Sequence, residues 1–461
     1  MEPVSPQDAT LWCATTPQIQ LQIGALCRLE GDPLRDGEGR LRLEDLRDHV
    51  ESRLHLAPRF RQRVRGVPLD LARPVWADDE DFDIARHVRT VTLDRPGSDL
   101  ELRGVVAEAL GQPLDSAHPL WDLLLVDGLD DGDVALLLRV HHVLADGLSL
   151  LRVAAALLDF EPDGPPGSPP TPWRPAAAVG PAGLVAAGLV ARHRSQLGLL
   201  VGATRQLLDP RHVVSRAASV LRSLTSSPEP APPAPLTGRV GTRRDFVWAS
   251  VPFTPLQQFA RTHGVTLNDV ILTAVAMSLR QVLGPQRVDA MSGRVPKVLV
   301  PVGDATGADP GNSFSFLVTG IPVDIDDPLV ALRTIHEEMI ERKASGQSGR
   351  LRPLFSVVDL VPIPLLRRAI PEVLARQPLV NLAVSNLPGS EIPLYLLGAR
   401  LRELQPIITG VGNIACIIGV LSYCDQLGIG ITVDPDVVGD VDGLLEALVE
   451  TTGSIAALTG G

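Results

Sequence analysis

The residues best suited to chemistry are two adjacent histidines, His141 and His142, with Asp146 and Gly147 just after them, in the stretch LLLRVHHVLADGLSLL at 136–151. An imidazole suits proton transfer near neutral pH, since its ordinary pKa is about 6.5. An apolar run ends in the two histidines, a short gap follows, and a helical apolar pattern then begins. That is a strand, a loop and a helix start, and side chains on such loops commonly face a cleft. Gly147 lets the chain turn sharply after Asp146. Asp146 lies just before a helix expected over 147–159, where it can cap the helix or hold a cation. Three readings are open from these residues alone: acid–base catalysis, two ordinary histidines at a strand end, or a metal site. The last has least support, because no further Cys, His or Glu falls at ligand spacing nearby.

Positioning these groups requires a hairpin. Strands are predicted over 121–127 and 134–141, joined by Gly128-Leu-Asp-Asp-Gly-Asp133, with a helix over 148–158. Upstream, the alternation in 19–30 predicts a strand, and helices are expected over 41–54 and 98–110, the latter capped by Ser98. The basic stretch Arg59–Arg65 and the acidic stretch Asp78–Ile84 are expected to be solvated. Prolines then crowd 161–175, and an Ala/Leu/Val-rich helical pattern over 176–224 carries six arginines against the single acid Asp209. Such a basic, apolar segment can lie on a membrane surface or pack as a helix across two domains. A second proline stretch, 228–235, ends this connection. The chain therefore divides into a first domain at 1–160, a linker at 161–240 and a second domain at 241–461.

The second half predicts strands at 244–251, 298–302, 313–325 and 380–385, and a hairpin of 414–423 with 427–433. Helices are expected at 254–263, at 328–343, at 353–375, at 440–451 and from Thr266, which can cap with Asp269 in the first turn. Strands and helices occur in both halves without the regular alternation of a doubly wound sheet, so the class is α/β of the layered α+β kind.

Composition narrows the function. A chain of 461 residues exceeds one ordinary core. Its 45% hydrophobic content fills large interiors, built from Leu, Val, Ala and Ile because aromatics are only 3%. A net charge of −12 argues against nucleic acid as the main partner. The four cysteines form no CxxC, which points to a reducing compartment and no structural zinc. The N-terminus shows no signal peptide pattern and no run is apolar enough to span a bilayer, so a cytoplasmic protein, peripheral at the inner membrane face, is the expectation. No GxSxG, Walker A or strand-borne GxGxxG is present, which leaves serine-hydrolase, nucleotide-hydrolysis and dinucleotide chemistry without support.

Five stretches in order then become familiar: SPQDA at 5–9, PLW at 119–121, HHVLADG at 141–147, LNDV at 267–270 and SNLPG at 385–389. With the proline-rich middle and the SYCDQLGIGITVD hairpin at 422–434, they resemble the bacterial wax ester synthase/diacylglycerol acyltransferase family over nearly the whole chain. The resemblance implies the fold of CoA-dependent acyltransferases: two similar chloramphenicol-acetyltransferase-like domains with a channel at their interface. It implies an acyl-CoA donor, used as substrate with no resident cofactor, and a diacylglycerol or long-chain alcohol acceptor. The rival class is a non-catalytic lipid-binding protein of the same fold. A lipid-droplet surface is a further partner, and the oligomeric state is not legible.

Within the family, His142 matches the general base and Asp146 an aspartate that supports the loop. An ester formed from a thioester needs no covalent enzyme intermediate, only a base for the acceptor hydroxyl and a donor for the oxyanion. His141 positions the loop or contacts substrate. Asn268 is the candidate oxyanion donor, because its amide sits where a helix N-terminus supplies positive potential; the alternative is that it only pins the helix. Pro119 and Trp121 read as core packing or as substrate contacts. Asn386 and Gly389 bound a turn that shapes the acyl channel or serves as scaffold. Gly147 belongs to the substrate-binding loop in the same reading.

Overall fold

A computed structural model describes residues 2–145, 150, 153–154, 157–164, 173–177, 179–190, 192–194, 230–291, 293–303, 314–344 and 361–458. Strand β1 (Glu2–Pro3) leads to the helix Pro6–Ala14 and then to β2 (Gln22–Leu29). After β3 (Gln62–Arg65), β4 (Val75–Asp78) and β5 (Val88–Gly97) come β6 (Trp121–Leu129) and β7 (Val134–His141). The second half holds β8 (Asp245–Pro252), β9 (Lys297–Gly303), β10 (Phe314–Gly320), β11 (Leu382–Leu387), β12 (Tyr395–Leu396), β13 (Ala399–Ile408), β14 (Cys416–Tyr423) and β15 (Gln426–Val433).

Two six-stranded mixed sheets organise these strands, in the orders β12-β13-β2-β7-β6-β5 and β10-β9-β11-β14-β15-β8. A small third sheet runs β1-β4-β3. Both predicted hairpins form: β6 pairs with β7, and β14 with β15 in register from Cys416 with Val433 to Tyr423 with Gln426. β13 departs from the predicted division. It comes from the second half yet pairs antiparallel with β2 in the first sheet, so the first sheet is completed by Ala399–Ile408, far beyond its last local strand, which ends at His141. The boundary set at 160 is thus not a boundary of the first sheet.

The sheets meet where β13 packs on β14 and β15. The glycines of the LGIGIT run make this approach possible: a Cβ on Gly428 would stand 2.0 Å from the Leu404 carbonyl oxygen, and one on Gly430 would stand 2.2 Å from that of Pro406. Helices cover the outer faces. Asp99–Gly111, with the predicted Ser98 cap, packs Leu102, Val106 and Leu110 on the first sheet. Leu43–Arg53 covers its other face with Leu46 and Val50. The helix Leu267–Ala290 buries Val270, Ile271, Leu272, Val275 and Leu279 on successive sides, because it lies between the second sheet and the helices Pro328–Ala344 and Val441–Ala457.

In the two stretches expected to be solvated, Glu80, Asp81 and Asp83 are exposed, but one charge in each stretch is interior. Arg61 is buried, its guanidinium over the Trp173 ring at 5.1 Å and donating to the Glu51 carbonyl. Asp79 is fully buried and paired with His118. Both charges found partners that only the tertiary fold brings near. Of the segment 176–224, the described residues 181–190 and 192–194 are helical and 176–177 and 179–180 are not; the rest of it, like residues 165–172 of the proline-rich run, lies outside the described residues. Of the expected helix over 353–375, residues 353–360 lie outside the described residues, and Ile363–Leu374 is helical.

Candidate active site

β7 ends at His141 because its neighbours stop there. The His141 N–H donates to the Leu120 carbonyl at 2.9 Å on one side, and the next N–H, of His142, reaches the Leu21 carbonyl at 2.8 Å on the other. Leu21 holds a left-handed backbone, φ 50°, buried beside the loop. Such a conformation is costly for a branched residue and persists only where its surroundings fix it. The chain then turns, with the Leu144 N–H on the His141 carbonyl at 2.9 Å.

The two imidazoles differ sharply. His141 is 3% exposed. Its Nδ1 accepts the Val143 N–H at 3.1 Å, so that nitrogen carries no proton. Nε2–H therefore donates to Thr15 Oγ1 at 3.0 Å, and the Thr15 hydroxyl passes its own proton to the Leu11 carbonyl at 2.9 Å. Burial, with the neighbouring His142 adding to it, pushes the His141 pKa down to about 3. His141 is held as one neutral tautomer, edge-on to Trp12. His142 is only partly buried. Of the two, His142 is the ring with the greater exposure.

The loop lies at the seam between the two halves. Val143 and Leu144 pack in one cluster with Ala9, Cys13 and Trp12 of the first helix, and with Ile363, Leu366 and Ile370 of the helix Ile363–Leu374. Just beyond, Ala145 and Leu150 share a cluster with Leu387, Leu421 and Tyr423 from the second half. Asp146 and Gly147 lie outside the described residues.

The remaining predicted residues are distributed as follows. Pro119 is buried, and Leu120 supplies the carbonyl that ends β7. Trp121, read as core packing or as a substrate contact, is a core residue: it is 2% exposed, its ring stacks on His87 at 4.5 Å, and its indole N–H donates to the Phe60 carbonyl at 2.8 Å. Its faces and its polar tip are all occupied by protein. Asn386 lies within β11, which runs one residue past it. Gly389 is required by space, since a Cβ there would stand 1.8 Å from the Ser422 carbonyl oxygen; its N–H donates to Ser422 Oγ at 3.1 Å. Asn268 stands in the first turn of the helix Leu267–Ala290, partly buried, and among the described residues no hydrogen bond joins it to the histidine loop. Thr15, which fixes the His141 tautomer, carried no sequence signal. A lone threonine 126 positions away announces nothing. Among the described residues no helix is long and apolar enough to cross a membrane.

Residues 4–271 match the model of the wax ester synthase/diacylglycerol acyltransferase catalytic domain, and residues 310–455 that of the WS/DGAT C-terminal domain. The chain belongs to the wax ester synthase/diacylglycerol acyltransferase family. It is an enzyme, an acyltransferase of that family. A Mycobacterium tuberculosis relative named "Probable diacyglycerol O-acyltransferase tgs1" is 31% identical over 96% of this chain and 92% of its own. Among solved structures, the fold is similar to a wax ester synthase/diacylglycerol acyltransferase from Marinobacter aquaeolei VT8, with a TM-score of 0.67, 23% identity and all of both chains covered. It is also similar to the first condensation domain of the calcium-dependent antibiotic synthetase, at a TM-score of 0.63 and 18% identity over 100% of this chain and 97% of that one. The two-domain α/β fold expected from the sequence is the one found.

Proposed function

We propose that this acyltransferase moves a fatty acyl group from acyl-CoA to diacylglycerol, making triacylglycerol, with His142 as general base and no covalent enzyme intermediate. The observation that carries the reading is the division of labour between the histidines. His141 has both ring nitrogens engaged in a neutral, buried arrangement, while His142 sits partly exposed at the seam between the lobes. The His142 imidazole takes the proton of the acceptor hydroxyl as its oxygen attacks the thioester carbonyl. The tetrahedral oxyanion collapses, the C–S bond breaks, and the departing CoA thiolate takes the proton back from the imidazolium. The Asn268 amide donates to the oxyanion, in the positive field of a helix N-terminus. Asp146 and Gly147 shape the loop, and the end of β11 with the residues up to Gly389 borders the acyl path. Acyl-CoA is a substrate, and no resident cofactor is proposed.

The enzyme works at a lipid surface in this reading. Leu69, Leu71, Leu189, Val190, Leu365 and Val373 are exposed, the first at 86% and the last at 67%. Arg192 donates to the Leu71 carbonyl and Arg367 pairs with Asp70, which joins their three segments into one face that also carries Arg194 and Arg368. Apolar side chains among arginines suit an anionic membrane.

Free-thiol release from palmitoyl-CoA, with diacylglycerol or hexadecanol presented in vesicles, tests the chemistry. The expected result is release with diacylglycerol exceeding that with hexadecanol, and a loss of about 10²–10⁴-fold in His142→Ala with its circular dichroism unchanged. Faster release with hexadecanol assigns wax ester synthesis instead. No release with either acceptor overturns catalysis in favour of lipid binding, and a near-wild-type His142→Ala removes the base assignment.

A further inference from the structure

Two of the described helices begin with a reciprocal capping box, and they are built differently. At Ser98 the partner Glu101 is exposed and bonds only within the box. At Thr266 the partner is Asp269, 1% exposed. Thr266 Oγ1 accepts the Asp269 N–H at 3.3 Å, and Asp269 Oδ2 accepts the Thr266 N–H at 2.9 Å. That same Oδ2 also receives His336 Nδ1–H at 2.8 Å, from the neighbouring helix Pro328–Ala344. Its second oxygen, Oδ1, is buried with no hydrogen-bond partner among the described residues. A cap needs no burial, and burying a carboxylate is costly unless it is paired. The carboxylate is thus held through one oxygen, by the Thr266 N–H from its own helix and by His336 from the neighbouring one.

We propose that His336 is a positioning residue for the reaction: through Asp269 it fixes the first turn of the helix Leu267–Ala290, and with it the direction of the Asn268 amide. The inference rests on the reading of Asn268 as oxyanion donor. Asn268 adjoins Asp269 and is rotated from it by about 100° on the helix. The buried Asp269 therefore faces inward while Asn268 stays partly exposed. The body of the helix is anchored independently by Val270, Ile271, Leu272, Val275 and Leu279 in the core. Loss of the His336 bond therefore leaves the helix in place and loosens its first turn. A donor displaced by about 1 Å from a developing oxyanion costs up to roughly 10²-fold in rate.

The test uses two substitutions in the full-length enzyme, read by thiol-release kinetics with palmitoyl-CoA and diacylglycerol. In His336→Asn the side-chain amide places an N–H where imidazole Nδ1 was. In His336→Gln the amide lies one carbon further out and misses Asp269. The expected result is near-wild-type kcat for H336N, and for H336Q a kcat lower by about 10-fold to 100-fold with KM within about twofold. In an Asn268→Ala background, H336Q is expected to change kcat by less than about twofold, because the group it positions is gone. Equal rates for H336N and H336Q overturn the proposal, and so does a full multiplicative loss in the N268A background. An unimpaired N268A enzyme overturns instead the reading of Asn268 on which the proposal stands.

Discussion

Replacing His141 by asparagine should remove a pH dependence of stability whose size follows from the site. The side-chain oxygen of asparagine still accepts the Val143 N–H, but nothing there titrates. In the wild type, burial lowers the His141 pKa to about 3, against an ordinary value of about 6.5 when unfolded. The folded state thus binds fewer protons than the unfolded one, so this contribution is whole above pH about 6.5 and is lost as pH falls towards 3. From 6.5 down to pH 5 the loss runs at about 1.4 kcal/mol per pH unit, giving roughly 2 kcal/mol. His49 and His87, also lowered by burial, titrate in both proteins and cancel in the comparison. Urea unfolding at pH 7 and pH 5 should show the wild type losing about 2 kcal/mol more than His141→Asn. The variant carries a constant penalty for the lost Thr15 contact, which does not alter the slope. Parallel losses in the two proteins would show that His141 is not held neutral by the fold, leaving it as able as His142 to act as the base.

The contact between the sheets makes a second expectation. Gly430→Ala places a methyl group 2.2 Å from the Pro406 carbonyl oxygen and 2.8 Å from the Phe246 ring, and should lower unfolding free energy by about 1–3 kcal/mol or more. Gly104→Ala, in the helix Asp99–Gly111 with nothing within 4 Å of the new methyl, should instead raise it by about 0.5–1 kcal/mol; equal effects in urea titrations would refute the packing account. For the lipid-facing surface, Leu365→Glu with Val373→Glu should abolish flotation with anionic liposomes while thiol release from a detergent-dispersed substrate persists. Unchanged flotation would rule that face out.

The sequence spoke clearly where structure is local. Alternation and turn glycines gave both hairpins, and Ser98 and Thr266 announced their caps. The histidine pair was legible because a strand end, two imidazoles and a glycine fall within a few residues. What escaped depends on distant partners. The roles of Thr15 and His336 arise from contacts across 126 and 67 positions, and neither residue has a distinctive neighbourhood. Arg61 and Asp79 looked solvated because charge usually is, until Trp173 and His118 were brought against them. β13 was missed for a related reason: its strand RLRELQPII carries charges on one face and a proline, and its place was set by β2, not by its own pattern.

That borrowed strand bears on synthesis. While the ribosome is making the first 398 residues, β2 has β7 on one side and a bare hydrogen-bonding edge on the other. Unpaired edges of this kind recruit strands from neighbouring chains. The nascent protein must carry this sticky flank through most of its translation, and the lobe bearing the histidines closes only after Ala399–Ile408 has emerged. A gene fragment ending at the linker would therefore give an aggregating product, and separate halves would become soluble only when made together.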